Sequence, residues 1–120
     1  TGSFWEGVDF VQSDKMIEVI TRLPFDNPKD IFFQKVSNHL LAQAKSPFYD
    51  YALPLTILKL KQAIGRTMRR ENQRSAVLIL DNRLLTKSYG KLMTDSLAEE
   101  FQLSSQKFAK SLTEMKDFLV

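Results

Sequence analysis

The sequence predicts an α/β fold in which a short parallel sheet is flanked by helices. Two runs of apolar and β-branched residues, 16–23 and 76–80, are predicted to be strands. Between these runs, and again after the second one, apolar residues recur at helical spacing. Strands that alternate with helices are typical of a parallel pair joined by a right-handed crossover. We therefore expect a single domain built on one such unit.

The N-terminal half of the chain supplies the first strand and the first helix. Residues 1–10 combine glycines, aromatic residues and acids without a clear period, which predicts a loop with at most a short helical turn. The strand 16–23 ends where Pro24 removes a backbone donor. Residues 26–28 have turn chemistry, and the apolar stripe over 31–44 predicts a helix.

The middle of the chain supplies a second helix. Residues 46–51 are predicted to be a loop that carries a proline and several aromatic side chains. Pro54 suits the first turn of a helix, which we expect to run to about residue 69. The polar residues 71–75 are predicted to form a turn.

The C-terminal half begins with the second strand. Residues 76–80 form a short continuous apolar run, as expected for a buried strand of a parallel sheet. Residues 83–97 are predicted to be helical, with a break or kink around Gly90. Ser104 or Ser105 is then expected to cap a final helix.

The composition limits the kinds of site that the chain can hold. It contains no cysteine, which excludes disulfides, cysteine-ligated zinc and iron–sulfur clusters within these 120 residues. The single histidine, His39, cannot form a metal site alone and is expected on a helix surface, so we predict no metal site. The net charge of +3 permits contact with nucleic acid without arguing for it. Neither a membrane-spanning apolar run nor a signal peptide is apparent, which predicts a cytoplasmic protein without a membrane partner.

The segment from Gln62 to Arg70 carries the strongest chemical signal. Arg66 and Arg69 lie three residues apart near the predicted end of a helix and so project from nearly the same face. Two neighbouring guanidinium groups repel each other unless an anion lies in front of them, and their geometry suits phosphate oxygens. The alternative is a solvated basic helix end, which also suits the helix dipole.

This segment and the opening of the chain resemble motifs VI and V of superfamily 2 helicases. The opening reads Gly-Ser-Phe-Trp-Glu-Gly-Val-Asp over residues 2–9, and residues 62–69 read Gln-x-x-Gly-Arg-x-x-Arg. Both are most similar to the DinG branch of the XPD-like DNA helicases. Three further segments, 23–30, 76–83 and 87–91, follow the family in the same order, so the resemblance covers residues 1 to about 97.

The resemblance implies the C-terminal part of the second RecA-like motor domain, in a fragment of a larger protein. The chain opens inside a motif and not at Met, and it has neither a Gly-x-x-x-x-Gly-Lys-Thr phosphate loop nor an Asp-Glu metal box. ATP and Mg²⁺ would therefore be bound mainly by the missing first RecA-like domain, which is the expected partner of this segment. We expect no ATP turnover from residues 1–120 alone.

The resemblance also implies the roles of the motif VI residues. Arg66 and Arg69 would reach the β- and γ-phosphates of ATP across the cleft between the motor domains, with Arg69 as the preferred transition-state finger. Gln62 would orient a phosphate or a catalytic group. Gly65 would let backbone pass close to the nucleotide, or would serve only for helix packing.

In motif V, the resemblance implies contacts with nucleotide from Glu6, Gly7 and Asp9. Gly7 would adopt a positive φ or make room for nucleotide or DNA backbone. Asp9 would accept hydrogen bonds from the ribose or couple motif V to the motif VI arginines. A loop acid or helix cap is the alternative for Asp9.

Single-stranded DNA is the implied nucleic-acid partner. Ser3 would contact its phosphates, while Phe4 and Trp5 could stack on a base or, equally, pack in a core. The family reading is thus an ATP-dependent DNA helicase segment. The alternatives are a helicase-like module of a DinG-type exonuclease and a non-catalytic DNA-binding or interaction module. Because the neighbouring strands of the domain would be missing, we also expect the isolated fragment to self-associate.

Overall fold

The computed structural model of the chain describes residues 7–12, 15–68, 74–103, 113–114 and 116–118. Within these residues the strands are β1 (Gly7–Gln12), β2 (Lys15–Ile20) and β3 (Arg74–Ile79). The α-helices are α1 (Ile31–Ala42), α2 (Leu53–Met68), α3 (Arg83–Thr86) and α4 (Gly90–Ala98), and a π-helical turn (Phe48–Ala52) leads into α2. The predicted helix after Ser104 or Ser105 lies mostly outside the described residues.

The strands form one sheet in the order β1-β2-β3. The β2–β3 pair is parallel, with Glu18 opposite Val77, and this confirms the predicted parallel unit. The crossover between the two strands contains α1, the π-helical turn and α2. The fold is therefore of the α/β class, with a short parallel strand pair flanked by helices, as the sequence predicts.

The prediction of a loop over residues 1–10 is wrong for its last residues. Residues 7–12 form β1, which pairs antiparallel with β2 and makes the sheet mixed instead of purely parallel. Val8 and Phe10 alternate with Gly7 and Asp9, but four residues are too few to distinguish a strand from a loop by periodicity. Pairing with the adjacent β2 decides the conformation, because strand propensity depends on cross-strand context.

The predicted loop over 46–51 is also partly wrong, because Phe48–Ala52 is a π-helical turn continuous with α2. Its start is capped from both sides. The Tyr49 amide donates to Ser46 Oγ at 3.1 Å, and the Ser46 amide donates to the Asp50 carboxylate at 2.8 Å. This reciprocal pattern resembles a capping box and is the local signal for a helix start that the sequence prediction overlooked.

The hydrophobic core lies between the sheet, α2 and α4. Its fully buried members come from the end of β2 and from one stripe of each helix: Ile20, Leu23, Leu53, Leu60, Ile64, Met93 and Leu97. Helix α1 contributes no buried residue, and His39 is exposed on its surface, as expected. Within the described part of the chain, no helix is both long and apolar enough to cross a membrane.

The predicted helix break at Gly90 is confirmed, and the structure gives its cause. Helix α3 ends at Thr86 and α4 begins at Gly90, so the chain turns back tightly there. A Cβ atom at position 90 would lie 2.2 Å from the Leu84 carbonyl oxygen and 2.7 Å from its carbon. Both of these are backbone atoms that cannot move aside as a side chain can. Only glycine fits without shifting one helix against the other.

We predict that Gly90→Ala lowers the free energy of unfolding by about 1–3 kcal/mol, as overpacking does. The direction of the change in stability is itself informative. Without this clash, alanine would stabilise a helix relative to glycine by about 1 kcal/mol. Urea unfolding measures the difference, with Ser88→Ala at a neighbouring exposed position as the control. An unchanged or increased stability of Gly90→Ala would contradict the close approach of α3 and α4.

Candidate functional site

The predicted motif VI residues that the structure describes lie in the last turns of α2. Gln62 and Arg66 are exposed one helical turn apart, whereas Gly65 is buried. Neither the Gln62 nor the Arg66 side chain makes a hydrogen bond or ion pair with the described part of the chain. Both are therefore presented at the surface, while Arg69 lies outside the described residues.

The opposite face of this helix end is fixed to the sheet. Ala63, Ile64 and Thr67 are only 2–4% exposed. The Thr67 hydroxyl donates to the Glu18 carboxylate on β2 at 2.6 Å, the short distance typical of a hydrogen bond to a charged acceptor. Because the buried face is anchored in this way, the backbone that carries Arg66 is held against the sheet.

Two predicted motif V residues, Gly7 and Asp9, lie on β1 and not in a loop. In the backbone register Asp9 is opposite Glu18, the residue that accepts the hydrogen bond from α2. The expectation that Gly7 adopts a positive φ or makes room for nucleotide or DNA backbone stays a prediction. Ser3, Phe4, Trp5 and Glu6 lie outside the described residues.

A further polar cluster lies where β2 and β3 end, and sequence reasoning missed it. The Asp81 carboxylate accepts hydrogen bonds from the Leu23 amide at 2.8 Å and from the Arg83 amide at 3.1 Å. It also forms a bidentate contact with the Arg83 guanidinium. Asp81 thus ties the end of β2 to the end of β3. Its position just after a predicted strand, two residues before an arginine, was the only signal in the sequence. The sequence also predicted that this strand is buried, which is wrong, because its residues are half-buried or exposed.

The ionisation of this pair follows from its surroundings. Partial burial raises the pKa of Asp81, but the hydrogen bonds from the Arg83 guanidinium and from the Leu23 and Arg83 amides outweigh it and lower the pKa to about 2. The hydrogen bond with Asp81 also raises the pKa of Arg83. Both groups therefore stay charged at neutral pH.

Arg83 connects this carboxylate to a group of aromatic rings. Its guanidinium lies 5.2 Å from the centre of the Phe25 ring, within cation–π range. Phe25 in turn packs edge-on against Tyr89 at 5.7 Å and stacks on Phe48 at 5.8 Å. The three segments 23–30, 76–83 and 87–91 therefore meet in one place. We call the residues that hold them together, Phe25, Asp81, Arg83 and Tyr89, the clamp.

Helix α2 is tied to the same clamp. The Lys59 ammonium group lies 2.7 Å from the Asp26 carboxylate, and both side chains are partly buried. The segment after β2 is therefore held by Asp81 from one side and by α2 from the other. The clamp and the Thr67–Glu18 hydrogen bond together fix α2 along its length.

The exposed guanidinium of Arg66 beside the Gln62 amide is suited to contact an anion with several oxygens, such as a phosphate. The described residues contain no group of three or more His, Cys, Asp and Glu side chains that could hold a metal ion. What the described site offers a ligand is thus a set of hydrogen-bond donors at one helix end.

Comparison with known proteins places the chain in a family. The family described as helicase C-terminal domain matches residues 1–100. The protein named 3'-5' exonuclease DinG of Bacillus subtilis is 36% identical over 97 residues, which cover 81% of this chain and 10% of that protein. ATP-dependent DNA helicase YoaA of Haemophilus influenzae is also 36% identical over 97 residues, covering 81% of this chain and 15% of that protein.

A relative from another bacterial group gives the same result. ATP-dependent helicase DinG of Mycobacterium tuberculosis is 31% identical over 105 residues, covering 88% of this chain and 16% of that protein. The chain thus spans 10–16% of the length of these relatives. No solved structure matches the chain significantly. The family match over residues 1–100 and these relatives show that the chain belongs to the helicase C-terminal domain family, among the DinG-like helicases.

Proposed function

We propose that this chain is the C-terminal motor segment of a larger DinG-like ATP-dependent DNA helicase. In this proposal Arg66 and Arg69 contact the phosphates of ATP that is bound, with Mg²⁺, mainly by the first RecA-like domain of the same protein. Gln62 orients a phosphate or a catalytic group beside them. ATP hydrolysis is coupled to movement along single-stranded DNA, and the protein works in the cytoplasm.

The observation that carries the proposal is the way α2 presents its last turns. Gln62 and Arg66 are exposed on one face, while Ala63, Ile64 and Thr67 are buried on the other. A helix end that is anchored on one side and displays a guanidinium on the other is pre-organised for an anion arriving from a neighbouring domain. Pre-organisation matters because negative charge shifts among the phosphoryl oxygens in the transition state, and a guanidinium already in place stabilises it without reorganisation.

Motif V supplies the second half of the proposed site. Asp9 accepts hydrogen bonds from the ribose or couples β1 to motif VI, and Glu6 and Gly7 lie beside the nucleotide. Support for the coupling role comes from the backbone register, in which Asp9 is opposite the residue that holds α2. Ser3, Phe4 and Trp5 are proposed to contact the phosphates and bases of single-stranded DNA. The names of the relatives, which include an ATP-dependent DNA helicase, favour this substrate.

The direct test is ATP hydrolysis by the complete protein in the presence and absence of single-stranded DNA. We expect hydrolysis that requires Mg²⁺ and is stimulated by DNA, together with displacement of a strand from a partial duplex. A complete protein that binds DNA and hydrolyses no ATP would contradict the proposal and would favour the non-catalytic interaction module.

A second candidate function is a helicase-like module of a DinG-type exonuclease. The observation in its favour is the Bacillus subtilis relative, which is named a 3'-5' exonuclease. In that case nuclease chemistry would reside outside these 120 residues, and the motor segment would regulate it. Loss of nucleotides from the 3' end of labelled DNA would identify this function, and measuring it with and without ATP would show whether the motor controls it.

We also predict that the isolated segment of 120 residues self-associates. Several large apolar side chains are exposed, among them Ile31 and Phe32 on α1, which are 70% and 68% exposed. In the described sheet, β1 and β3 each have a free edge, which another copy could pair with. Light scattering over a concentration series should show a mass above that of a monomer, and Phe32→Glu should reduce it if α1 is the contact. A monomer at the highest soluble concentration would contradict this prediction.

A further inference from the structure

The contact between Thr67 and Glu18 is unusual for its surroundings. Thr67 is 2% exposed, and the α2 residues around it on the buried face, Leu60 and Ile64, are apolar and 0–4% exposed. Glu18 is half-buried on β2 and shares its face of the strand with Met16 and Ile20, which are 0–1% exposed. A hydroxyl and a carboxylate placed in an otherwise apolar interface cost free energy unless they satisfy each other, which they do at 2.6 Å. The pair is therefore a specific connection between the central strand and the end of α2.

A second threonine in the same helix shows that this connection is not the default. Thr56 is equally buried, but its hydroxyl donates to the Ala52 carbonyl oxygen one turn earlier, at 2.8 Å. That is the usual local arrangement for threonine within a helix. The Thr67 hydroxyl instead reaches across to a residue 49 positions away in the sequence. Thr67 thus serves a tertiary contact, whereas Thr56 satisfies itself within its own helix.

The contact between Thr67 and Glu18 lies next to the predicted motif VI residue Arg66. Thr67 directly follows Arg66 in the last described turn of α2. A bond to the sheet at this point fixes both the rotation and the axial position of the turn that carries Arg66.

We propose that Glu18 is a positioning residue for motif VI, acting through Thr67 to hold the turn that carries Arg66 and leads to Arg69. This inference rests on the proposed function, in which those arginines contact ATP. Glu18 is well placed for the role because it lies on the central strand, opposite Asp9 on β1 and opposite Val77 on β3. The strand that pairs with the strand of motif V is thus tied to the helix of motif VI. Misplacing a catalytic group by about 1 Å can lower a rate up to about a hundredfold, so loss of this anchor should be visible in the rate.

The test uses the complete protein and the variant Thr67→Val, which keeps the shape of threonine and removes the hydroxyl. We expect kcat for DNA-stimulated ATP hydrolysis to fall about tenfold while KM for ATP stays within about twofold, because the anchor affects orientation more than binding. Thr67→Ser keeps the hydroxyl and should restore most of the rate. Combining Thr67→Val with Glu18→Leu should lower kcat no further than either change alone, since both remove the same contact.

Thr56→Val is the matched control. It removes an equally buried hydroxyl of the same helix whose hydrogen bond goes to the Ala52 carbonyl oxygen one turn earlier and not to the sheet, so it should leave kcat unchanged. A kcat within about twofold of wild type for Thr67→Val, or an equal loss in Thr56→Val, would overturn the proposal. Should Thr67→Val fail to fold, Glu18→Leu decides in the same way: a reduced kcat supports the positioning role and a wild-type kcat refutes it.

The arginine variants separate this inference from the function on which it rests. If Arg66→Ala and Arg69→Ala lose ATP hydrolysis and Thr67→Val does not, the positioning role is wrong and the proposed function stands. If both arginine variants keep wild-type rates, the motif VI assignment itself is wrong.

Discussion

Replacing Arg69 with alanine in the complete protein should lower the rate of DNA-stimulated ATP hydrolysis by about a thousandfold, as for other arginine fingers. The reason is that the guanidinium would stabilise charge that is greatest in the transition state, so its removal acts on kcat. Affinity for ATP should change little, because the phosphate loop and the metal site are expected elsewhere in the protein. Steady-state kinetics with saturating single-stranded DNA measure both quantities.

Arg66→Ala should cause a similar or somewhat smaller loss. Lys35→Ala is the control, because it removes one positive charge from an exposed position on α1 that has no role in the proposal. It should leave the rate unchanged and so exclude a general effect of net charge on DNA binding. Wild-type rates in both arginine variants would mean that α2 ends in a solvated basic surface and not in an ATP contact.

The second large effect is expected on stability, from Asp81→Ala. The substitution leaves the partly buried Leu23 amide and the Arg83 guanidinium without their shared acceptor, and unsatisfied groups of this kind typically cost about 2–4 kcal/mol together. Urea unfolding of wild type and variant gives the difference. Asp95→Ala is the matched control, because its carboxylate forms an exposed pair with Lys91 one turn away and, among the described residues, no other pair. It should change stability by less than about 1 kcal/mol. Equal effects of the two substitutions would show that Asp81 does not join the strands.

The same carboxylate predicts a pH dependence. Its pKa in the folded protein is lowered to about 2, below its value in an unfolded chain. Its contribution to stability is therefore complete above the unfolded pKa and is lost as the pH falls from about 4 towards 2. Over that interval the wild type should lose on the order of 1–2 kcal/mol more than Asp81→Asn, whose side chain does not titrate there. Parallel pH profiles for the two proteins would contradict the lowered pKa.

Much of the fold could be predicted because it depends on local patterns. The apolar runs of β2 and β3 lie next to turn residues, and the stripe of α2 repeats over several turns, so both are recognisable without knowledge of contacts. The break at Gly90 could be predicted for the same reason, although its cause, a close approach to the Leu84 carbonyl group, could not. The face of α2 is harder to predict from residue type, because Leu58 is apolar and yet 51% exposed.

The candidate site was likewise predicted only in part. The residue types and spacing of motif VI indicated Gln62, Gly65 and Arg66, and the structure places them in the last turns of α2 with the glycine buried. Gly7 and Asp9 were predicted to lie in a loop, whereas the structure places both on β1. The roles of Arg69 and of Ser3, Phe4, Trp5 and Glu6 stay predictions, because these residues lie outside those that the structure describes.

The parallel pair β2–β3, the helices that connect its strands and the family of the chain are all predictable from residue patterns. The pairing of β1 with β2, the bond from the Leu23 amide to Asp81 and the bond from Thr67 to Glu18 are visible only in the folded chain. For the two hydrogen bonds, the cause is the separation of the partners along the chain. Periodicity and turn chemistry report interactions among residues a few positions apart, whereas the Asp81 and Thr67 contacts join residues 58 and 49 positions apart. Such contacts form only when the core has brought β2, α2 and β3 together, and they are the ones that hold the proposed phosphate-binding helix in place.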